Sequence, residues 1–168
     1  KEERFPISSK SLMNAVMNVE AWVKSFAANR HPDDIPLLRQ AFSLAQVTGE
    51  DKKTLYHFSC FHEGLLIANV LLSLNLDREA VAAGLIYPCY RDADLSDEDL
   101  VEHLGSTVAR LVKGIARMDA IHSLSNTHLP VNKTRAENLR KMLLAMVEDV
   151  RVVLIKLGER LTLLRQAK

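Results

Sequence analysis

Apolar residues recur at three-to-four spacing almost throughout the chain, the period of an amphipathic α-helix, and no stretch alternates as a half-buried strand does. The pattern predicts an all-α fold. A first helix is expected over residues 9–28, with Leu12, Val16, Val19, Val23 and Phe26 on one face. His31-Pro32-Asp33-Asp34 reads as a turn and capping segment. A second helix follows over 36–48, where Pro36 is tolerated in the first turn and Gly49 is placed for a C-terminal stop. Residues 50–61 are charged first and aromatic later, and are expected to be a loop entering a helix over 63–74.

The run from Ala80 to Tyr87 has no polar face. A helix apolar all round must be covered on every side. Asp77 is a good N-cap for it, and Glu79 suits the positive end of the helix dipole. Its residues are small, so neighbouring helices can come close. Pro88 has no N–H and disfavours helical geometry at Tyr87, so this short buried central helix is expected to stop there. Its end, followed by Arg91 and Asp92, would form the floor of a cleft.

Beyond it, Ser96 and Asp99 have capping-box spacing and start a short helix ending near Gly105. Ser106 is expected to cap the next helix, which turns Val108, Leu111, Val112 and Ile115 inward. Residues 123–133, which include Pro130, read as a polar loop. From 136 to 165 runs one long helical pattern, about 45 Å if unbroken. Its inward stripe is Leu139, Leu143, Met146, Val150, Val153, Leu157, Leu161 and Leu164. Glu148 and Asp149 could cap a restart that splits it in two. Gly158 costs about 1 kcal/mol against Ala inside a helix. Close approach of the central helix is expected to explain it, with Glu159 facing that helix's end.

Composition narrows the class little. With 168 residues the chain suits a single domain, residues 1–168, and a net charge of +1 gives no argument for direct nucleic-acid or membrane binding. The longest apolar stretch, Leu65 to Leu76, is interrupted by Asn69, Ser73 and Asn75 and falls short of the roughly 20 residues of a membrane span. Cys60 and Cys89 have no metal-type spacing and read as buried thiols of a reducing compartment. Without an initiator Met, and with helical pattern running to its end, the chain is expected to be a segment of a longer cytoplasmic protein.

Phosphate loops, GxSxG, HExxH and paired cysteines are absent from the sequence. His31, His57, His62, His103, His122 and His128 are scattered singly and read as surface or helix-end residues. His57 and His62 do not share a helix face. The acidic run Asp92, Asp94, Asp97, Glu98 and Asp99 reads as a solvated loop and helix N-terminus rather than a cation site.

Three blocks carry a resemblance. They are the segment from Ala136 to Leu161, the run Leu74-Asn-Leu-Asp-Arg-Glu-Ala-Val-Ala-Ala-Gly-Leu-Ile, and Val108-Ala-Arg-Leu-Val-Lys-Gly-Ile. Together they resemble the long RelA/SpoT enzymes, which make and degrade the alarmone (p)ppGpp in the stringent response. The likeness is strong from Leu65 to Lys168 and loose before it. It implies an all-helical HD-type domain. Active relatives hold Mn2+ through a His, a His-Asp pair and a distant Asp, and remove the 3′ pyrophosphate. Here the first His falls on Glu63, one residue from His62. The His-Asp pair falls on Tyr87-Pro88, and the last Asp on Glu159. The acidic catalytic pair falls on Arg91-Asp92, and an Asn beyond the last ligand on Leu163. The family's basic loop has no clean match near Lys52-Lys53.

Tyr87, with a pKa near 10, is a poor ligand at neutral pH, and Pro88 has no donor atom. The resemblance therefore implies a degenerate, non-hydrolytic domain with no catalytic residue, metal or cofactor of its own. Its role would be structural or regulatory in a GTP pyrophosphokinase. The implied partners are a synthetase domain after Lys168, which would use Mg2+, and the ribosome through distant C-terminal domains. Two other readings stand beside it. One is a (p)ppGpp 3′-pyrophosphohydrolase with a rearranged metal set of His62, Glu63, Asp92 and Glu159. The other is a helical protein-interaction module.

Overall fold

The computed structural model describes residues 19–55, 57–125 and 149–166, with five further helical positions at 136, 137, 140, 141 and 144. The expectations for Leu12, Val16, His128, Pro130, Leu139, Leu143 and Met146 lie outside the described residues. Helix α1 occupies residues 19–26 and passes into two 3-10 turns, Ala27–Asn29 and Pro32–Asp34. Then follow α2 (Ile35–Gly49), α3 (Cys60–Ser73), α4 (Arg78–Asp92), α5 (Asp97–Leu104), α6 (Ser106–Ser125) and α7 (Val150–Gln166). The fold is all-α. Among the described residues the only strand-like feature is an isolated antiparallel bridge between Lys53 and Ser59.

Helix α4 is the centre. Asp77 caps it by accepting from the Ala80 N–H at 3.3 Å. Every residue from Ala80 to Cys89 is buried, and α2, α3, α6 and α7 all pack against it. The expected stop at Pro88 is wrong: the helix continues to Asp92 with Pro88 inside it. An interior proline costs about 3 kcal/mol through its missing N–H and its ring. Fully burying one large apolar side chain contributes about 1.5–3 kcal/mol. Val81, Leu85 and Ile86 are all fully buried, so packing on every side outweighs the local preference. The extra turn carries Arg91 and Asp92 on the helix itself rather than on a loop beyond it.

Glycines set the closest approaches. A Cβ on Gly64 of α3 would collide with the carbonyl oxygen of Leu85 in α4. A Cβ on Gly158 of α7 would lie 2.9 Å from Leu71 Cδ2 of α3. The close neighbour of Gly158 is therefore α3, not the central helix. A chain of aromatic contacts links α1, α2 and α3. Trp22 meets Phe26 at 4.8 Å and Phe42 at 5.3 Å, and Phe42 meets Phe61 at 5.0 Å.

Other boundaries follow from caps. Ser59 accepts from the His62 N–H at 3.0 Å, so α3 starts at Cys60, three residues earlier than expected. The Ser96–Asp99 capping box is formed, and Gly105 at φ 87° ends α5. Ser106 is the first residue of α6 rather than its cap, and α6 runs through Ser123 to Ser125. Val108, Leu111, Val112 and Ile115 are buried as expected. Asp149 caps α7 by accepting from the Arg151 N–H at 3.0 Å, so the long pattern does restart there.

The inward stripe expected on α7 is wrong. Val150, Leu157, Leu161 and Leu164 are exposed, Leu157 by 60%. The buried face is instead Val152, Ile155, Gly158, Glu159 and Thr162. This helix has apolar residues on two opposite sides, so periodicity alone picks the wrong one.

The two close approaches differ in what must give way. Gly64→Ala forces a Cβ into backbone and is expected to cost about 3 kcal/mol or more. In Gly158→Ala the obstacle is a leucine methyl, and helix propensity returns about 1 kcal/mol, so the net change should stay within about 1 kcal/mol. Urea unfolding of the two variants checks the difference.

Candidate functional site

Four helices bring charge to one place. The early start of α3 puts Glu63 in its first turn, where Gly64 seats the backbone tightly against α4. The last turns of α4 supply Tyr87, Arg91 and Asp92. Helix α6 contributes Asp119, and α7 contributes Lys156 and Glu159 on neighbouring positions of one face.

Arg91 is the hub. Its terminal nitrogens lie 3.1 Å from Glu63 Oε1 and 3.0 Å from Glu159 Oε1, and its Nε lies 2.8 Å from Asp92 Oδ2. Glu63 is 1% exposed and Glu159 3% exposed. A buried carboxylate is stable only when paired and hydrogen-bonded, and a guanidinium fork meets two of them at once. Burial disfavours the Arg91 charge, but the Asp92 hydrogen bond and the Glu63 and Asp92 charges outweigh it and hold its pKa above the ordinary arginine value.

A second cation extends the cluster. Lys156 pairs with both Asp119 and Glu159. Asp119 also accepts a hydrogen bond from the Tyr87 hydroxyl. Arg91 and Lys156 stand 5.6 and 5.7 Å from the centroid of the Tyr87 ring. Burial first, then the Asp119 hydrogen bond and charge, push the Tyr87 phenol well above its usual pKa.

The cluster forms one wall of a cleft of about 740 Å³, whose lining includes Tyr87, Tyr90, Arg91, Asp119, Lys156, Glu159 and Leu163. Of the positions expected from sequence, Glu63, Tyr87, Arg91, Asp92 and Glu159 meet, and Leu163 lines the cleft. Pro88 is buried in α4 and is not among the lining residues. His62 is exposed and sits by Phe58 at 5.6 Å, outside the cluster. The acidic run is taken up locally: Asp97 pairs with Lys113 at 2.7 Å, and Asp99 closes the capping box. Cys60 and Cys89 are buried free thiols, Cys89 pushed up to about 12 by burial. Sequence reasoning missed Asp119 and Lys156. Lys156 stands one helical turn before Glu159, which was a usable signal. Asp119 lies 32 positions from Tyr87 in the chain and carried none.

This all-helical arrangement is that of an HD domain. A profile of the HD domain matches residues 41–168, and the chain belongs to that family. Within it, the chain is homologous to RelA/SpoT proteins over about 75% of its length. A guanosine-3′,5′-bis(diphosphate) 3′-pyrophosphohydrolase of Vibrio cholerae is 36% identical over 126 residues, 75% of this chain and 17% of that protein. A GTP pyrophosphokinase of Escherichia coli is 36% identical over 130 residues, 76% of this chain and 17% of its own length. The bifunctional (p)ppGpp synthase/hydrolase SpoT of Escherichia coli is 32% identical over 128 residues, 76% of this chain and 18% of its own length. The chain thus spans less than a fifth of the length of these relatives.

HD domains normally bind a metal, and the residues present here do not fit one. Among the described residues no histidine donor reaches the cluster, Pro88 offers no atom, and the Tyr87 phenol is held protonated by burial and Asp119. The space between Glu63 and Glu159 already holds a guanidinium. Among the described residues, no group of three or more His, Cys, Asp or Glu side chains stands where it could hold a metal ion.

Tyr87→Phe tests the second half of the cluster. Asp119 keeps Lys156, so the loss near neutral pH is expected to be about 1 kcal/mol. Because the folded-state pKa is raised, Tyr87 protects the fold fully below pH 10.0, its ordinary value, and that protection is lost as pH rises further. The wild type should therefore lose about 1.4 kcal/mol per pH unit more than Tyr87→Phe above that point. Denaturant melts across the alkaline range read this.

Proposed function

We propose that this chain is a degenerate, non-hydrolytic HD domain with a structural or regulatory role in a GTP pyrophosphokinase of the stringent response. The observation that carries the reading is Arg91 lying between Glu63 and Glu159. Hydrolysis of the 3′ pyrophosphate needs a cation that polarises phosphate and activates water. A guanidinium saturated by three carboxylates does neither. Arg91 also reverses the charge where active relatives place a carboxylate. The relatives named as GTP pyrophosphokinases support assigning synthesis to the parent protein, through a domain following residue 168. The parent's synthetase domain would use Mg2+ and its ribosome contact would lie further along the chain. Helix α7 is the natural route of communication, since Lys156 and Glu159 tie it to the cluster.

One observation favours a second reading. Glu63, Asp92 and Glu159 all reach Arg91, and carboxylates are the donors that hard cations take. A rearranged 3′-pyrophosphohydrolase would use them after Arg91 moved away. His62 does not join them, and Arg91 is held by all three, so the non-hydrolytic reading accounts for more of the geometry.

Incubating the protein with (p)ppGpp and MnCl2 separates the two. No release of pyrophosphate above a metal-free control is expected. Turnover that Glu159→Ala abolishes would establish the hydrolase instead.

A further inference from the structure

We infer that the outer face of α7 is a docking seam for one amphipathic helix with acidic flanks, supplied by the parent protein from outside residues 1–168. The inference rests on the reading of this chain as one domain of a longer synthetase, and adds to it the surface through which α7 is reached.

Val150, Leu154, Leu157, Leu161 and Leu164 follow one another at intervals of four, three, four and three residues. That is the a/d alternation of a heptad seam, which keeps one apolar stripe facing a partner helix and packs knobs into its holes. Val150, Leu157, Leu161 and Leu164 are exposed, Leu164 by 68%, and Leu154 is half-buried. Single exposed apolar side chains are ordinary, but five in register along one helix form a contiguous patch, which marks an interaction surface. The opposite face, with Val152, Ile155, Gly158, Glu159 and Thr162, is already packed on the domain. A helix apolar on both sides needs cover on both.

The charges beside the seam state what the partner must carry. In this register Arg151 and Arg165 occupy e positions and Arg160 a g position, and these positions hold no acidic residue. Charges at e and g set partner choice and orientation. A second copy of α7 offers no carboxylate there in either orientation, and like charges brought together oppose association. A helix with Asp or Glu beside its apolar stripe is the complement. Arg160 also lines the cleft, so an occupant that pairs with it touches the rim of the cleft next to the Arg91 cluster.

The length of the seam says where that helix comes from. It spans about two heptads, roughly 21 Å. A self-sufficient coiled coil runs to about three heptads or more. Two suffice when the partner is tethered, since a linker raises its effective concentration to about the millimolar range. The chain spans less than a fifth of the length of its RelA/SpoT relatives, so a parent of comparable size has ample chain to supply the helix in cis.

The test compares iodoacetamide labelling of the 168-residue chain and of the full-length parent, each carrying Leu157→Cys or Val101→Cys. Cys60 and Cys89 are buried and give a low background. Val101, on α5, is an exposed control. Leu157→Cys is expected to label at least about tenfold more slowly in the parent than in the 168-residue chain. Val101→Cys should label alike in both. Adding Arg160→Glu and Arg165→Glu to the parent should recover most of the lost rate. Backbone hydrogen exchange of residues 150–166 in the unsubstituted chain and parent makes the same comparison without a mutation. Equal Leu157→Cys rates in chain and parent overturn the inference. So does slow labelling of Leu157→Cys in the 168-residue chain itself, whether a second copy or the chain's own residues cover the seam. Equal slowing at Val101→Cys overturns it too, and protection that survives both charge reversals overturns the acidic partner. Mn2+-dependent hydrolysis of (p)ppGpp by the 168-residue chain overturns the proposed function, whereas equal labelling overturns only this inference.

Discussion

The constraint on which the structure depends is that α4 has no face that tolerates water. Ala80, Val81, Ala82, Ala83, Leu85, Ile86 and Cys89 must all be covered. One helix can be covered all round only by several others, and α2, α3, α6 and α7 do this. The site follows from that requirement. Three of the four covering helices carry an acidic residue to the same end of α4: Glu63, Asp119 and Glu159. Their convergence is a consequence of wrapping a core helix. The charge then needs cations, and the chain supplies them from within as Arg91 and Lys156.

The same constraint explains the proline. Pro88 breaks a helix that is free to choose, and α4 is not free. Packing from four sides fixes its course through Tyr87 and Pro88 to Asp92. Had α4 stopped at Tyr87, Arg91 would have stood on a loop, where ordering a long side chain costs conformational entropy. Held in the helix, it is aimed at Glu63 and Glu159 by the backbone. Pro88 inside the helix and Arg91 aimed at two buried carboxylates are thus compatible only because the fold overrides a local preference.

Legibility in the sequence divides along the same line. The apolar run of α4, its Asp77 cap, the Ser96–Asp99 box and the restart at Asp149 are short-range signals, and all were readable. Glu63, Tyr87, Arg91, Asp92 and Glu159 are singled out by resemblance to RelA/SpoT blocks, not by spacing, and the structure brings them together. The stop at Pro88 was misread because propensity says nothing of tertiary cover. The inward face of α7 was misread because its most regular apolar stripe, Val150, Leu157, Leu161 and Leu164, is the outer one. Its true inner face contains Gly158, Glu159 and Thr162, which look polar or neutral until Arg91 and α3 are placed against them. Asp119 was invisible for the same reason, since only the packing of α6 on α4 gives it Tyr87 and Lys156 as partners.

In the proposed reading a guanidinium stands where HD relatives hold a metal, and the arrangement has a physical logic of its own. A divalent ion in an HD site serves two ends: it joins helices by coordinating their side chains, and it does chemistry. A guanidinium preserves the first end only. It forms directed bonds to two or three carboxylates and remains charged at any physiological pH. It cannot supply an activated water. Buried ion pairs are seldom net stabilisers relative to an apolar core, but breaking one leaves an uncompensated charge and is strongly destabilising. Glu63 and Glu159 are buried charges in need of a partner. Arg91 meets that need without leaving the fold dependent on a metal. In the proposed reading, the domain keeps the shape of its enzymatic relatives, and α7 keeps a charged anchor through which that shape can be communicated.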